Sequence, residues 1–165
     1  MKIRHLEEAD FKDLHTIYSF QSVCENTSQK PFLSSESVSA LFSGPGQYTL
    51  VAESEGKVVG HVTIFLNTKV RDKHSASLAI AVHPDYHGKG IAKVLMSEAI
   101  NQADNWLNLI RLDLEVHADN LSAISLYKKV GFETEGTKRL STFKNGQYID
   151  MLIMSRIDPS FKMNS

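Results

Sequence analysis

The chain has 165 residues, with 18 Lys+Arg against 19 Asp+Glu for a net charge of -1, 42% apolar residues and one cysteine, Cys24. That length suits one domain with a sizeable core, and the balanced charge gives no global pull toward nucleic acid or an anionic membrane. A single cysteine can form neither an internal disulfide nor a cysteine zinc site, which points to a reducing, cytoplasmic setting.

Lys2–Leu6 reads as a short strand, and Glu7, Glu8 and Asp10 then open a helix near Ala9–Phe20, with Phe11, Leu14, Ile17 and Tyr18 at helical spacing. This N-terminus turns acidic within ten residues and has no apolar stretch of the kind a signal peptide carries. From Gln21 to Gln47 the chain is polar and Ser-rich, with one helix expected at Ser35–Phe42 and a breaker at Gly44-Pro45-Gly46. Tyr48–Glu53 and Val58–Leu66 are strand-like runs joined by a turn at Ser54-Glu55-Gly56-Lys57. Ala76–Val82 is the next strand, and His83-Pro84 ends it. The apolar runs Val62–Leu66 and Leu78–Val82 fall far short of the roughly 20 residues a spanning helix needs.

After Gly88 and Gly90 comes a long helical pattern carrying Ile91, Val94, Leu95, Ala99 and Ala103. Ile110–Val116 alternates apolar residues with Arg111, Asp113 and Glu115, the pattern of a half-exposed strand. Asn120 caps a helix that runs to Val130, and Gly131 ends it. Phe132–Thr137 and Tyr148–Arg156 close the chain as strands, with Asn145-Gly146 as the tight turn before the last. Seven strands and four helices in this order predict an α+β (mixed α/β) domain, placed at residues 1–157, with 158–165 as a C-terminal tail.

Two segments carry site-like chemistry. In His87-Gly88-Lys89-Gly90-Ile91-Ala92 the glycines let backbone approach a ligand, and the helix that follows points free N–H groups outward. That is an anion cradle suited to a pyrophosphate, although glycines before a helix also make plain turns. A dinucleotide fingerprint would want Gly or Ala where Lys93 stands, and a P-loop would want Ser or Thr after Lys89. The second segment runs from Glu115 through Asn120 and Tyr127 to Gly131-Phe132. Taken singly, these residues read as a solvated strand carboxylate, a helix cap and a core aromatic. His83 and His87 are four apart, but Pro84 and Gly88 forbid a helix there, so no metal site is expected.

Together, in this order, the two segments resemble the GNAT superfamily of acetyl-CoA-dependent N-acetyltransferases. That family's acyl-CoA signature begins with Gln or Arg; here His87 stands first, which leaves its backbone N–H and removes the usual side chain. The tail, with Asn105-Trp106-Leu107, Gly131-Phe132-Glu133 and Asn145-Gly146-Gln147-Tyr148-Ile149-Asp150, looks like an enterobacterial-type subgroup of small-molecule and L-amino-acid N-acetyltransferases.

The resemblance implies a central, mostly antiparallel sheet of about seven strands flanked by about four helices. It implies acetyl-CoA as cosubstrate, held by Ile80, Ala81 and Val82, by His87, Gly88, Lys89, Gly90, Ile91 and Ala92, and by Asn120, Tyr127 and Lys129. Tyr127 is then the general acid for the departing thiolate, and Glu115 the candidate base, with His117 its rival and a water relay an alternative. A small amine, an amino acid first of all, is the expected acceptor. From the residues themselves, Phe32, Leu33, Val38, Leu41 and Phe42 with Lys30 nearby read either as an apolar wall for its side chain with a cation for its carboxylate, or as a helix anchored to the core by Val38, Leu41 and Phe42 with Lys30 solvated. The alternatives are protein N-terminal or lysine acetylation, and a non-catalytic acyl-CoA-binding module. No nucleic-acid or membrane partner is expected; a homodimer is an assembly open to the fold.

Overall fold

The structure, a computed structural model, describes residues 1–161. Its backbone divides into two compact units, Met1–Phe65 with Ala79–Ala99, and Leu66–Leu78 with the chain from Ile100 onward.

The first unit opens with β1 (Lys2–His5), a 3-10 turn (Glu8–Asp10) and α1 (Phe11–Tyr18). The single helix expected over Ala9–Phe20 is thus shorter and starts with a tighter turn. Asp10 explains the difference: both carboxylate oxygens bind Arg4 at 2.8 Å, and one also accepts the Glu7 N–H at 2.8 Å. The charge-assisted fork fixes the chain entry before α-helical spacing can begin. Next come α2 (Gln21–Glu25), α3 (Ser35–Leu41), β2 (Gln47–Ser54) and β3 (Lys57–Leu66). Five helices therefore stand where four were expected; α2 was hidden in the polar stretch. It forms because Val23 and Cys24 are buried while its other residues face water, and the Cys24 thiol donates to the Tyr18 carbonyl at 3.3 Å. Ser34 caps α3 by accepting the Ser37 N–H at 3.0 Å.

Leu14, Ile17, Tyr18, Val38, Phe42, Val51, Val58 and Ala81 form the apolar centre of this unit. Each fully buried aliphatic side chain contributes roughly 1.5–3 kcal/mol. Val38 and Phe42 are therefore core residues, with Leu33 and Leu41 packed against them, while Phe32 is fully exposed and Lys30 is exposed. Of the two readings of this stretch, the packing of Val38, Leu41 and Phe42 is that of a helix anchor and not of a substrate wall. Gly60 marks a close approach: a Cβ there would lie 3.2 Å from the Ala81 carbonyl oxygen and from the side chains of Leu95 and Val82.

β4 (Ser75–Val82) and α4 (Ile91–Asn105) each run through both units. The second unit adds β5 (Arg111–His117), α5 (Leu121–Lys129), β6 (Glu133–Lys144) and β7 (Gln147–Ile157). The seven strands lie in the order β1-β2-β3-β4-β5-β7-β6. β4 and β5 pair in parallel over Ser75–Ser77 with Arg111–Asp113, whereas β1 with β2, β2 with β3, β5 with β7 and β6 with β7 are antiparallel. The mixed, mostly antiparallel sheet is as expected.

β6 is twice the expected strand, reaching Lys144 where the sequence suggested Thr137. Its second half is largely exposed and carries none of the apolar alternation that marks a strand in sequence. Between Lys138 and Thr142 it leaves the ladder for three residues, opposite Asp150 alone. Arg156 closes the unit with a bidentate pair to Asp104 at 2.9 Å and 2.9 Å. Of the expected tail, Asp158 donates its N–H to the Ile110 carbonyl at 2.8 Å; positions 162–165 of that tail lie outside the described residues.

Candidate active site

The cradle segment belongs to the first unit. β4 ends where the His83 N–H donates to the Val59 carbonyl at 2.8 Å. Pro84–Tyr86 then forms a 3-10 turn capped by His83, whose Nδ1 accepts the Asp85 N–H at 3.1 Å. Gly88 and Gly90 hold φ of +75° and +80°, and a Cβ on either would meet no other atom within 4 Å. Conformation, not crowding, is what selects glycine there, and the open space is where a ligand group can approach. α4 starts at once, and its first intrahelical bond from this loop is Val94 N–H to Gly90 carbonyl at 3.1 Å. The N–H groups of Ile91, Ala92 and Lys93 precede that bond and are the free donors of a helix start.

His87 is the departure from the family signature, and its imidazole has a different task. Nε2 meets the Val82 carbonyl oxygen at 2.9 Å, tying the loop back onto the end of β4. Lys89 turns its ammonium over the Tyr86 ring at 4.8 Å, which keeps a cation at the loop surface. On β4 itself, Ala81 and Val82 are buried and Ile80 is partly buried. The pairing of β4 with β5 covers Ser75–Ser77 and does not extend to Ile80–Val82.

The other candidates belong to the second unit. Asn120 is the N-cap of α5; its Oδ1 accepts the Ala123 N–H at 3.4 Å. Tyr127, on the buried side of α5, packs its ring 6.1 Å from that of Phe132. Burial pushes its phenol up to about 12, so it stays protonated and able to donate at neutral pH. Lys129 is exposed in the last turn of α5, a favourable place for a cation on helix-dipole grounds alone.

Asp113, Glu115 and His117 share one face of β5 by alternation. Glu115 is about half exposed, at 48%, and pairs with Lys138 of β6. His117 is buried, its Nδ1 3.1 Å from the Lys144 ammonium, which also reaches Asp119 at 3.1 Å. Lys144 donates, so that imidazole nitrogen accepts. Lys138 and Lys144 are the residues sequence reasoning missed. The available signal was charge complementarity between β5 and the segment after Gly136, but strand register is not readable from charge alone. Among the described residues no cluster of metal-binding side chains occurs.

Comparison with known proteins fits this geometry. The model of the Acetyltransferase (GNAT) family matches residues 2–132. The L-amino acid N-acetyltransferase AaaT of Escherichia coli K12 is 40% identical over 156 residues, covering 94% of this chain and 96% of that protein. The spermidine N(1)-acetyltransferase of the same organism is 30% identical over 158 residues, covering 93% of this chain and 84% of that one. Among solved structures, spermidine N-acetyltransferase from Vibrio cholerae in complex with CoA and spermine superposes with a TM-score of 0.83 at 26% identity, covering 94% of each chain. With the glycine cradle before α4, the capped α5 and the extent of these matches, the chain belongs to the GNAT family of acetyltransferases, enzymes of the acyltransferase type that use acetyl-CoA.

Proposed function

We propose that this enzyme transfers the acetyl group of acetyl-CoA to the amine of a free L-amino acid. The observation that carries the reading is the 40% identity, over nearly the full length of both chains, to an L-amino acid N-acetyltransferase. Spermidine-type acceptors, polycations, would draw on a concentration of unpaired carboxylates. Here Glu115, Asp119 and Glu135 already hold Lys138, Lys144 and Arg111.

In this reading the N–H groups of Ile91, Ala92 and Lys93, with the loop of His87, Gly88, Lys89 and Gly90, take the pyrophosphate. Ile80, Ala81 and Val82 offer backbone donors to the pantetheine arm and thioester carbonyl, and Asn120 and Lys129 serve the cofactor at α5. The acceptor amine attacks the thioester carbonyl, and the carbon–sulfur bond breaks as the intermediate collapses. Tyr127 gives its proton to the departing thiolate. Glu115 takes the ammonium proton, and its exposure makes a water relay the route. Residues 1–157 act as one acetyltransferase domain, a cytoplasmic setting suits the lone reduced cysteine, and a homodimer is compatible with the scheme.

The test is release of free thiol from acetyl-CoA with a panel of L-amino acids, their amides, polyamines and short peptides. Turnover of free amino acids, with the amides poorer by about ten-fold or more, supports the reading. Equal kcat/KM for acid and amide moves it to peptide N-termini, and thiol release with none of the amines to an acyl-CoA-binding module.

A further inference from the structure

We infer that the excursion of β6 at Arg139–Ser141 is the subsite that reads the acceptor's α-carboxylate, with the Arg139 guanidinium as its anion partner. This rests on the amino-acid reading above and names a residue for it. Lys138, Arg139, Leu140, Ser141 and Asp150 line a shallow recess of about 640 Å³.

The charge arrangement around the recess singles out one side chain. On β5, β6 and β7, Arg111 is paired with Glu135, Lys138 with Glu115, Lys144 with Asp119 and Arg156 with Asp104. Arg139 alone among the arginines and lysines of these strands has no carboxylate partner among the described residues, and it is exposed at the recess. The nearest acid in the lining, Asp150, is engaged elsewhere: its Oδ1 accepts the Leu140 N–H at 2.8 Å. That bond also holds Leu140 at a φ of +50°, a left-handed conformation unusual for a branched side chain. The excursion is therefore held in shape from beneath while its one free fork of donors faces outward. A guanidinium presents two parallel N–H groups to a carboxylate, which matches the α-carboxylate of an amino acid and not the carboxamide of its amide. Lys138, next in the chain to Arg139, is neutralised by Glu115, which leaves Arg139 as the uncompensated cation of the recess.

The experiment compares wild type, Arg139→Gln, Arg139→Lys and Lys30→Gln on the best-used L-amino acid of the twenty and on its amide. Acetyl-CoA binding by calorimetry and thermal stability are measured in parallel. Arg139→Gln is expected to raise KM for the free amino acid by about 30-fold or more and leave kcat/KM for the amide within about two-fold. Arg139→Lys should recover part of the loss, and acetyl-CoA affinity should not move. Equal losses on acid and amide, no loss at Arg139, or a loss confined to Lys30→Gln overturns the subsite. A wild-type enzyme that acetylates no free amino acid overturns the parent reading first, before any variant is compared.

Discussion

The Tyr18 hydroxyl lies 2.9 Å from His61 Nε2, in a polar chain sealed inside the first unit. His61 Nδ1 meets the Thr63 hydroxyl at 3.2 Å, and Thr63 meets Thr49 at 2.9 Å. Desolvation pushes the imidazole down to about 3 and the Tyr18 phenol up, so both are neutral when folded. The unfolded chain binds a proton at His61 that the folded chain refuses between about pH 3 and about pH 6.5. This contribution is whole above about pH 6.5 and is lost as pH falls, by up to about 1.4 kcal/mol per pH unit. Urea unfolding at about pH 7 and about pH 5 should show that slope, and His61→Gln should flatten it. Identical slopes for the two proteins would show that the loss arises elsewhere.

Tyr127→Phe should lower kcat by about 10²–10⁴ while acetyl-CoA affinity stays within about two-fold. The ring fills the same buried place against Phe132, so folding is preserved. Near-native turnover under conditions where chemistry limits the rate removes Tyr127 from proton transfer.

Gly90→Asp should abolish acetyl-CoA binding measured by calorimetry. A side chain there is strained at φ +80°, and its charge would repel a pyrophosphate. His87→Ala loses only the tie to the Val82 carbonyl and should weaken binding by about ten-fold or less. The reverse order would place recognition in the imidazole.

Glu115→Gln should lower kcat near pH 7 by about 10² or more, with recovery toward pH 9, where more of the acceptor amine is already neutral. A loss that does not recover with rising pH assigns Glu115 to binding alone.

Asp104→Ala leaves the Arg156 guanidinium without its bidentate partner in a mostly covered site, with the two side chains 20% and 10% exposed. Stability should fall by about 3–5 kcal/mol in chemical denaturation. A loss under about 1 kcal/mol would mean that water replaces the carboxylate.

Much of the fold is legible in the amino-acid sequence. β5 announced itself through Leu112, Leu114 and Val116, all buried as alternation requires, and α5 through its Asn120 cap. The sharp loop before α4 was legible because positive φ leaves glycine in the sequence, at Gly88 and Gly90. What stayed hidden depends on distant partners. α2 is one turn of helix whose two buried residues, Val23 and Cys24, carry no period long enough to detect. The second half of β6 has charged residues whose pairing to Glu115 and Asp119 exists only once register is set. His87 looked like a lost side chain; only the fold shows its ring turned back onto Val82.

The excursion in β6 also bears on what the edge of the sheet offers to another chain. β6 ends the sheet, and twelve residues of strand, about 40 Å, would present an unpaired row of backbone donors and acceptors to any passing chain. Leaving the ladder between Lys138 and Thr142 cuts that row into two short stubs, each flanked by lysine. Straightening it, for instance by deleting Arg139–Ser141, would restore a long continuous edge of the kind that other strands can template on.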